Sequence, residues 1–284
     1  MIENICVAGA GTMGSGIALS AAQNGFPVIL FDTNEQVLNN ARNSIATNLE
    51  VLLFRKVRSV QQISKVSSKG FILPRRSDNC KATLVIEAII EKEDAKVSLF
   101  NQLASINDAQ TIFASNTSSL SVSAIQEKIS HPERVAGLHF FNPAQLMKLV
   151  EVVKAAQTSD EVINQLVNFS HQLKKTPVVC IDAPGFIVNR VARHYYLEAM
   201  KLVESGIAGF ETVDEVMEAS GFKMGPFKLM DLIGMDINLA VSTSLYNAFG
   251  ETKRFKPSPL QIQKVAEGNL GRKTGKGFYA YNAK

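Results

Sequence analysis

The chain has 284 residues, of which 46% are hydrophobic and 20% are charged, and this length and composition suit a globular protein of two domains. Its net charge of +4 comes from lysines and arginines that are spread along the chain, which argues against a nucleic-acid-binding protein and is compatible with a small anionic substrate. Three widely separated cysteines, no apolar run long enough to cross a bilayer and no signal-peptide layout together predict a cytoplasmic protein without a disulfide framework, a metal site or a membrane segment.

The first two-thirds of the chain alternates short apolar runs with longer helical stretches. The predicted strands are Ile5–Ala8, Pro27–Phe31, Leu84–Glu87, Thr111–Ala114, Val135–Leu138, Leu149–Val153 and Pro177–Ile181. Because these runs are apolar on both faces and are separated by helices, they predict a parallel sheet that is covered on both sides. One helix start is marked by the segment from Thr158 to Glu161, which fits a capping box.

A glycine-rich loop, GAGTMG, follows the first strand and opens a helix. In a dinucleotide-binding domain the three glycines of such a loop make a tight turn, admit a pyrophosphate and pack the helix against the strand. The residues predicted to contact the dinucleotide are Gly9, Gly11, Thr12, Met13 and Gly14.

The second strand ends at Asp32, at the distance expected for the carboxylate that binds the ribose hydroxyls of NAD. That carboxylate would repel the extra phosphate of NADP, and no arginine follows it to receive that phosphate. We therefore predict NAD as the cofactor rather than NADP.

A histidine and a glutamate interrupt two later apolar runs. His139 ends a predicted strand at the sheet edge where such folds bind ligands, and Glu151 lies inside the next strand, where an unpaired carboxylate is costly to bury. If the two pair, the carboxylate accepts one ring N–H and leaves the other nitrogen as a general base. Beside a nicotinamide, such a base would take a hydroxyl proton while a hydride leaves the carbon. A buried histidine with a purely structural role is the alternative, because spacing alone cannot show that the side chains touch.

Beyond Asp182–Gly185 the strand pattern gives way to helices. Helical spacing predicts a helix from Pro184 to Gly206, whose apolar stripe comprises Ile187, Val188, Val191, Tyr195, Ala199, Leu202 and Val203. Further helices are predicted over 211–219, 226–249 and 258–267. The predicted fold is therefore α/β, with a Rossmann-type doubly wound parallel sheet in residues 1–184 and an all-α domain in residues 185–284.

Eight segments, in order along almost the whole chain, resemble the motifs of the short-chain L-3-hydroxyacyl-CoA dehydrogenase family, and most of all its bacterial 3-hydroxybutyryl-CoA type. They are VAGAGTMGSG from Val7, LVIEAIIE from Leu84, ASNTSSL from Ala114, GLHFFNP from Gly137, MKLVEV from Met147, PGFIVNR from Pro184, MGPF from Met224 and GRKTGKGFY from Gly271. The resemblance implies a homodimer that uses NAD to oxidise an L-3-hydroxyacyl-CoA thioester to the 3-oxoacyl-CoA, and the reverse, with short acyl chains.

The resemblance also implies roles for single residues. His139 would be the base and Glu151 would orient it, while Ser118 and Asn189 would hydrogen-bond the 3-oxygen of the substrate. The further cofactor contacts that it implies are Glu91, Lys96, Asn142 and Lys273.

The chain departs from the family pattern between about residues 52 and 80, where relatives contact CoA. The residues near those positions are Asn48, Arg55 and Lys56, and the preferred acyl-chain length stays open.

Two other functions remain open at this stage. The first is a dehydrogenase for a hydroxy acid or sugar acid without CoA; related enzymes of that sort often use a lysine four residues before the helix asparagine, where this chain has Gly185. The second is a nucleotide-binding protein without catalysis. Such a protein could lose its base and its substrate donors, whereas this chain keeps them all.

Overall fold

The computed structural model describes residues 1–54, 71–72 and 80–281, and the chain forms two compact units, Met1–Ala183 and Pro184–Lys284. Among the described residues, the helices are all too short or too polar to cross a bilayer.

An eight-stranded sheet forms the centre of the first unit in the described part of the chain. Its strands are β1 (Ile5–Ala8), β2 (Val28–Phe31), β3 (Phe71–Ile72), β4 (Leu84–Glu87), β5 (Ile112–Ser115), β6 (Val135–Phe140), β7 (Leu149–Lys154) and β8 (Thr176–Ile181). Their order is β3-β2-β1-β4-β5-β6-β7-β8, and every neighbouring pair is parallel except β6 and β7. The Rossmann-type sheet predicted from the sequence is confirmed.

Helices flank this sheet in the described part of the unit. They are α1 (Thr12–Gln23), α2 (Glu35–Phe54), α3 (Glu93–Ala104), α4 (Val122–Gln126) and α5 (Asp160–Gln172). The helix α5 begins one residue later than the predicted capping box requires. Ser159, and not Thr158, accepts the hydrogen bond from the amide of Val162, while the Thr158 hydroxyl donates to the carbonyl of Val135 in β6.

The sheet departs from the predicted parallel, fully covered sheet at its far edge. β7 runs antiparallel to β6, because the eight residues 141–148 that join them are too few for the helical crossover that a parallel pair requires. β8 is an edge strand, in which Val179 and Ile181 are 49% and 68% exposed. An apolar run therefore did not guarantee burial on both faces.

Among its described residues the second unit is helical, apart from turns and two isolated antiparallel bridges, Gly271 with Lys276 and Lys276 with Ala280. Its helices are α6 (Val188–Glu204), α7 (Phe210–Ala219), α8 (Pro226–Ile233), α9 (Met235–Ala248) and α10 (Pro259–Ala266). The predicted single helix over 226–249 is wrong, because Gly234 has a φ of 104° and separates α8 from α9.

The helix α6 differs from its prediction in its start and in its buried face. It starts at Val188, since Gly185 and Phe186 have φ values of 72° and 46° that end any helical path before it. Its buried residues are Arg193, Tyr196, Ala199 and Met200, whereas Val191 of the predicted stripe is 67% exposed. The apolar stripe and the buried face of this helix are therefore not the same.

Two buried aspartates account for the motifs MGPF and GRKTGKGFY in structural terms. Asp214 accepts hydrogen bonds from the amides of Phe227 and Lys228 and so caps the start of α8, while Asp231 accepts from the amides of Phe278 and Tyr279. Because each carboxylate is buried and fully hydrogen-bonded, these motifs organise the second unit.

Candidate active site

The glycine loop has the geometry that a dinucleotide site requires. Gly9 has a φ of 103°, and a Cβ there would lie 2.4 Å from the carbonyl oxygen of Ala88. A Cβ on Gly14 would lie 1.7 Å from the oxygen of Gly9, whereas a Cβ on Gly11 would have no atom within 4 Å. Two of the glycines are thus needed for the fold itself, and Gly11 leaves open space at the start of α1.

The start of α1 is suited to an anion. Its N-cap is Gly11, and no side chain caps the helix there, so its first amides face outwards with the positive end of the helix dipole. Thr12 is exposed at the first helical position, and Met13 packs against the core of the unit. A backbone that offers amides beside an uncrowded glycine is the usual arrangement for holding a pyrophosphate.

Asp32 lies at the end of β2, beside the glycine loop. Its Oδ2 accepts a hydrogen bond of 2.9 Å from the amide of Ala10, and its Oδ1 accepts one of 2.8 Å from the amide of Asn34. These bonds fix the carboxylate next to the loop, at the position expected for contact with a ribose.

His139 and Glu151 are in direct contact. They lie opposite each other in the antiparallel ladder of β6 and β7, and the imidazole Nδ1 is 2.7 Å from the carboxylate Oε2. Both side chains are buried, with exposures of 7% and 1%. In a neutral imidazole whose Nδ1–H donates to this carboxylate, Nε2 is the nitrogen that can accept a proton. The ring of Phe141 packs on the imidazole, with centroids 4.5 Å apart.

Ser118 lies in the loop after β5, which is the strand next to β6. The side-chain oxygen of Asn116 accepts a hydrogen bond of 2.9 Å from the amide of Phe140, and this bond ties the loop to the end of β6. Since β5 and β6 are parallel, Ser118 and His139 are presented at the same edge of the sheet.

Glu91 and Lys96 form part of a hydrogen-bonded network below that loop. The Oε1 of Glu91 accepts hydrogen bonds from the Thr117 hydroxyl and from the amides of Ser118 and Ser119. Burial by itself would raise the pKa of Glu91, but the Lys96 ammonium and the hydrogen bonds from the loop outweigh burial and hold the pKa below its ordinary value.

Lys96 lies in the first turn of α3, where its local sequence suggests an exposed side chain, but the side chain is buried. It is 1% exposed, and its ammonium lies 2.7 Å from Glu87 and 3.0 Å from Glu91. Glu87 is itself fully buried and accepts a hydrogen bond from the Ser115 hydroxyl. The direct cofactor contacts expected of Glu91 and Lys96 stay predictions, and in this structure both organise the loop that carries Ser118.

A cavity of about 460 Å³ lies between α1, α2 and the loop from Phe141 to Lys148. Its polar lining includes Thr12, Asn48, Asn142 and Gln145, and its apolar lining includes Ile45. The structure thus brings the predicted cofactor contact Asn142 and the predicted CoA contact Asn48 to the same cavity. The other two predicted CoA contacts, Arg55 and Lys56, lie outside the described residues.

Two predicted site residues belong to the second unit. Asn189 is the second residue of α6 and is half-buried. Lys273 forms an ion pair with Asp236, with its Nζ 2.5 and 2.6 Å from the two carboxylate oxygens. Their predicted contacts with substrate and cofactor stay predictions.

Sequence reasoning missed two residues that shape the site, Asn116 and Lys175. Asn116 gives a weak signal, since it is a polar residue directly after an apolar strand. Lys175, whose ammonium is buried against the loop from Phe141 to Lys148, gives none, because its sequence context is that of an exposed turn. Within the described ranges, no cluster of His, Cys, Asp or Glu could hold a metal ion.

The two units match two family models in sequence. Residues 4–183 match the model described as 3-hydroxyacyl-CoA dehydrogenase, NAD binding domain, and residues 185–281 match 3-hydroxyacyl-CoA dehydrogenase, C-terminal domain.

Individual proteins are similar over almost the whole chain. A 3-hydroxyadipyl-CoA dehydrogenase of Escherichia coli (strain K12) is 43% identical over 99% of this chain, which spans 60% of that protein. A mitochondrial hydroxyacyl-coenzyme A dehydrogenase of Sus scrofa is 39% identical over 99% of this chain and 92% of its own length. Among solved structures, an (S)-3-hydroxybutyryl-CoA dehydrogenase from Ralstonia eutropha has a TM-score of 0.95, with 35% identity and complete coverage of both chains.

Proposed function

The chain belongs to the 3-hydroxyacyl-CoA dehydrogenase family, and we propose that it oxidises L-3-hydroxyacyl-CoA thioesters to 3-oxoacyl-CoA with NAD, and catalyses the reverse reaction. Short acyl chains, as in 3-hydroxybutyryl-CoA and acetoacetyl-CoA, are the proposed substrates. The observation that carries the proposal is the buried pair of His139 and Glu151 on the same sheet as an NAD-type glycine loop.

The proposed mechanism assigns the proton to His139. Its Nε2 takes the proton of the 3-hydroxyl group, and Glu151, bonded to Nδ1, stabilises the imidazolium that results. Bound NAD⁺ supplies the acceptor for the hydride that leaves carbon 3, so the products are a ketone, NADH and a proton held on the imidazole. In the reverse direction the imidazolium returns that proton to the oxygen.

Ser118 is proposed to donate a hydrogen bond to the 3-oxygen and so to hold the reacting carbon in place. Its loop is fixed from two sides, by the hydrogen bond that Asn116 accepts from β6 and by the bond from the Ser118 amide to Glu91. Asn189 of the second unit is proposed to bind the same oxygen, as the family resemblance implies.

The residues of the first unit suit NAD. The open space at Gly11 and the uncapped start of α1 would receive the pyrophosphate, and Asp32 would accept hydrogen bonds from the ribose hydroxyls. The cavity next to this loop is proposed to hold the pantetheine arm of CoA, whose amides find partners in Asn48, Asn142 and Gln145.

The first test is the loss of NADH absorbance when acetoacetyl-CoA is added, beside matched assays with NADPH and with longer 3-oxoacyl-CoAs. We expect rapid oxidation of NADH with the four-carbon substrate, and a fall in turnover of roughly two to four orders of magnitude in His139→Gln, which removes the general base. A His139→Gln enzyme with near-normal turnover would contradict the role of the base. Failure of every thioester would leave sugar acids, or no substrate, as the next hypotheses.

A dehydrogenase for a hydroxy acid or sugar acid on the same framework is the second candidate. Gly185, whose φ of 72° suits a turn, stands where such enzymes often carry a lysine, and this counts against them. Competitive inhibition by free CoA would argue against this candidate, and indifference to CoA would favour it.

A homodimer in the cytoplasm is also proposed. The second unit exposes large apolar side chains, among them Val191, Ile207 and Val216, at 67%, 71% and 56%. A dimer that pairs through these helices, as the family resemblance implies, would cover such side chains. Light scattering coupled to gel filtration would test the dimer, and a mass near 31 kDa would contradict it.

A further inference from the structure

The loop that joins the strands of His139 and Glu151 rests on one buried ammonium group. Lys175, at the start of β8, is 7% exposed, and its Nζ lies 2.5 Å from the carbonyl oxygen of Ala144 and 2.7 Å from that of Met147. Within the described residues no carboxylate pairs with this lysine, and the two carbonyls are its hydrogen-bond acceptors.

A buried cation without an anion is an unusual choice for a structural contact. Burial lowers the pKa of Lys175, because the charged form is disfavoured away from water. An apolar side chain of similar length would fill the same space without that cost. The contacts of the ammonium with the two carbonyl groups are therefore the reason to expect a lysine at this position.

Both carbonyls belong to a tight turn that lines the cavity. The amides of Leu146 and Met147 donate to the carbonyl of Pro143, so the ammonium holds the turn at its two ends. On its other side the turn packs on α1, where a Cβ on Gly16 would lie 2.9 Å from the Gln145 side-chain oxygen. A shift of this turn would therefore change the distance between Gln145 and α1.

The turn carries side chains that the proposed ligands would meet. Asn142, Pro143 and Gln145 line the cavity together with Gly11 and Thr12 of the glycine loop. His139 and Glu151, by contrast, are held by the main-chain ladder of β6 and β7, which does not depend on the turn. The contact of the ammonium with this turn therefore concerns the cavity, and not the base and its carboxylate.

We propose that Lys175 is a positioning residue, whose ammonium holds the turn from Pro143 to Met147 against α1 and so sets the cavity that receives the CoA arm of the substrate. The inference rests on the proposed function for the identity of that ligand. The contact between the ammonium and the turn does not depend on it.

The test compares Lys175→Met with Lys174→Met, which removes the same charge from the exposed neighbouring position. In Lys175→Met, which loses both hydrogen bonds from the ammonium to the turn, we expect the KM for acetoacetyl-CoA to rise about tenfold, while kcat changes less than about threefold. Lys175→Arg, which keeps a cation with several donors, should recover part of the loss. Lys174→Met should behave as the wild type.

Limited trypsin digestion gives a readout that does not depend on activity. Lys148 is exposed at the end of the loop, and its cleavage should become about tenfold faster in Lys175→Met, at a temperature well below unfolding, because a released turn opens more often. If Lys175→Met does not fold, Lys175→Gln, which is too short to reach both carbonyls, takes its place.

Unchanged KM and unchanged cleavage in a folded variant would overturn the proposal, and so would a fall in kcat at constant KM, which would place the effect on the reacting groups. A wild type that reduces no 3-oxoacyl-CoA would refute the proposed function. In that case the cleavage of Lys148 still decides whether the lysine holds the turn.

Discussion

Replacing Gly11 by alanine separates binding of the cofactor from folding. Gly11 has φ −64° and ψ −171°, which any L residue can adopt, and an added Cβ meets no atom within 4 Å. A Gly→Ala change at such a position stabilises a protein by about 0.4–1 kcal/mol through the unfolded state. For a protein of this size we therefore expect a melting temperature that is unchanged or raised by about 1–4 °C.

Binding of NADH should respond in the opposite direction. The new methyl group occupies space that the pyrophosphate needs, and an overpacking cost of about 1–3 kcal/mol corresponds to a rise in Kd of roughly 5- to 150-fold. The enhancement of NADH fluorescence measures this Kd cleanly, since the chain contains no tryptophan.

Gly14→Ala is the matched comparison, because its Cβ would lie 1.7 Å from the oxygen of Gly9 and must disturb the fold itself. A folded Gly11→Ala variant that binds NADH as tightly as the wild type would refute the assignment of the pyrophosphate to this loop.

Three further predictions concern the charges around the site. Glu151→Gln removes a charge-assisted hydrogen bond worth about 1.5–3 kcal/mol. Initial rates should therefore show a kcat for oxidation that is lowered by roughly 10- to 150-fold. An unchanged kcat would contradict the orienting role of Glu151. Burial, and then the negative charges of Glu151 and Asp182, raise the pKa of Cys180 to about 11. Glu151→Gln removes one of these charges and so stabilises the thiolate. The pKa of Cys180 should therefore fall in this variant, and iodoacetamide should label Cys180 faster at pH 9. Mass spectrometry would show this, and equal labelling rates would argue against an ionised Glu151. Asp32→Asn keeps an acceptor for the Ala10 amide and loses the charge together with the acceptor for the Asn34 amide. The KM for NADH should therefore rise about tenfold while that for NADPH falls, and a preference unchanged between the two would contradict the role of the carboxylate.

Seven of the eight described strands of the first unit could be predicted from sequence, because each of the seven carries its own apolar signal; the two-residue β3 was not predicted. Of these seven, Ile5–Ala8 and Leu84–Glu87 have the predicted bounds, and the other five differ by one or two residues at one or both ends. The direction of β7 and the exposure of β8 could not be predicted in this way. Both depend on what lies beside a strand, which the residues of the strand do not record.

In the candidate site, too, the residue types could be predicted from local sequence, whereas the contacts between distant residues could not. The sequence indicated His139 and Glu151 as misplaced polar residues, but their contact depends on the antiparallel register of two strands. Lys174 and Lys175 are identical in type and adjacent, yet one is exposed and the other is buried, and only the packing of the loop distinguishes them.

In α6 the buried face includes Arg193, a residue that an apolar pattern cannot mark, and the predicted stripe was displaced accordingly. Polar residues that are buried by partners far along the chain are thus the ones that sequence patterns miss.

Because His139 and Glu151 pair across two neighbouring strands, their contact is independent of the loop that connects those strands. Since the ladder of β6 and β7 fixes their separation, the connecting loop is free to differ in length and sequence without moving the base from its carboxylate. Exchanging that loop between relatives, together with whatever anchors it, should retarget the enzyme to other thioesters or alcohols at little cost to proton transfer. The loop is therefore the place to begin when a new substrate range is selected in the laboratory.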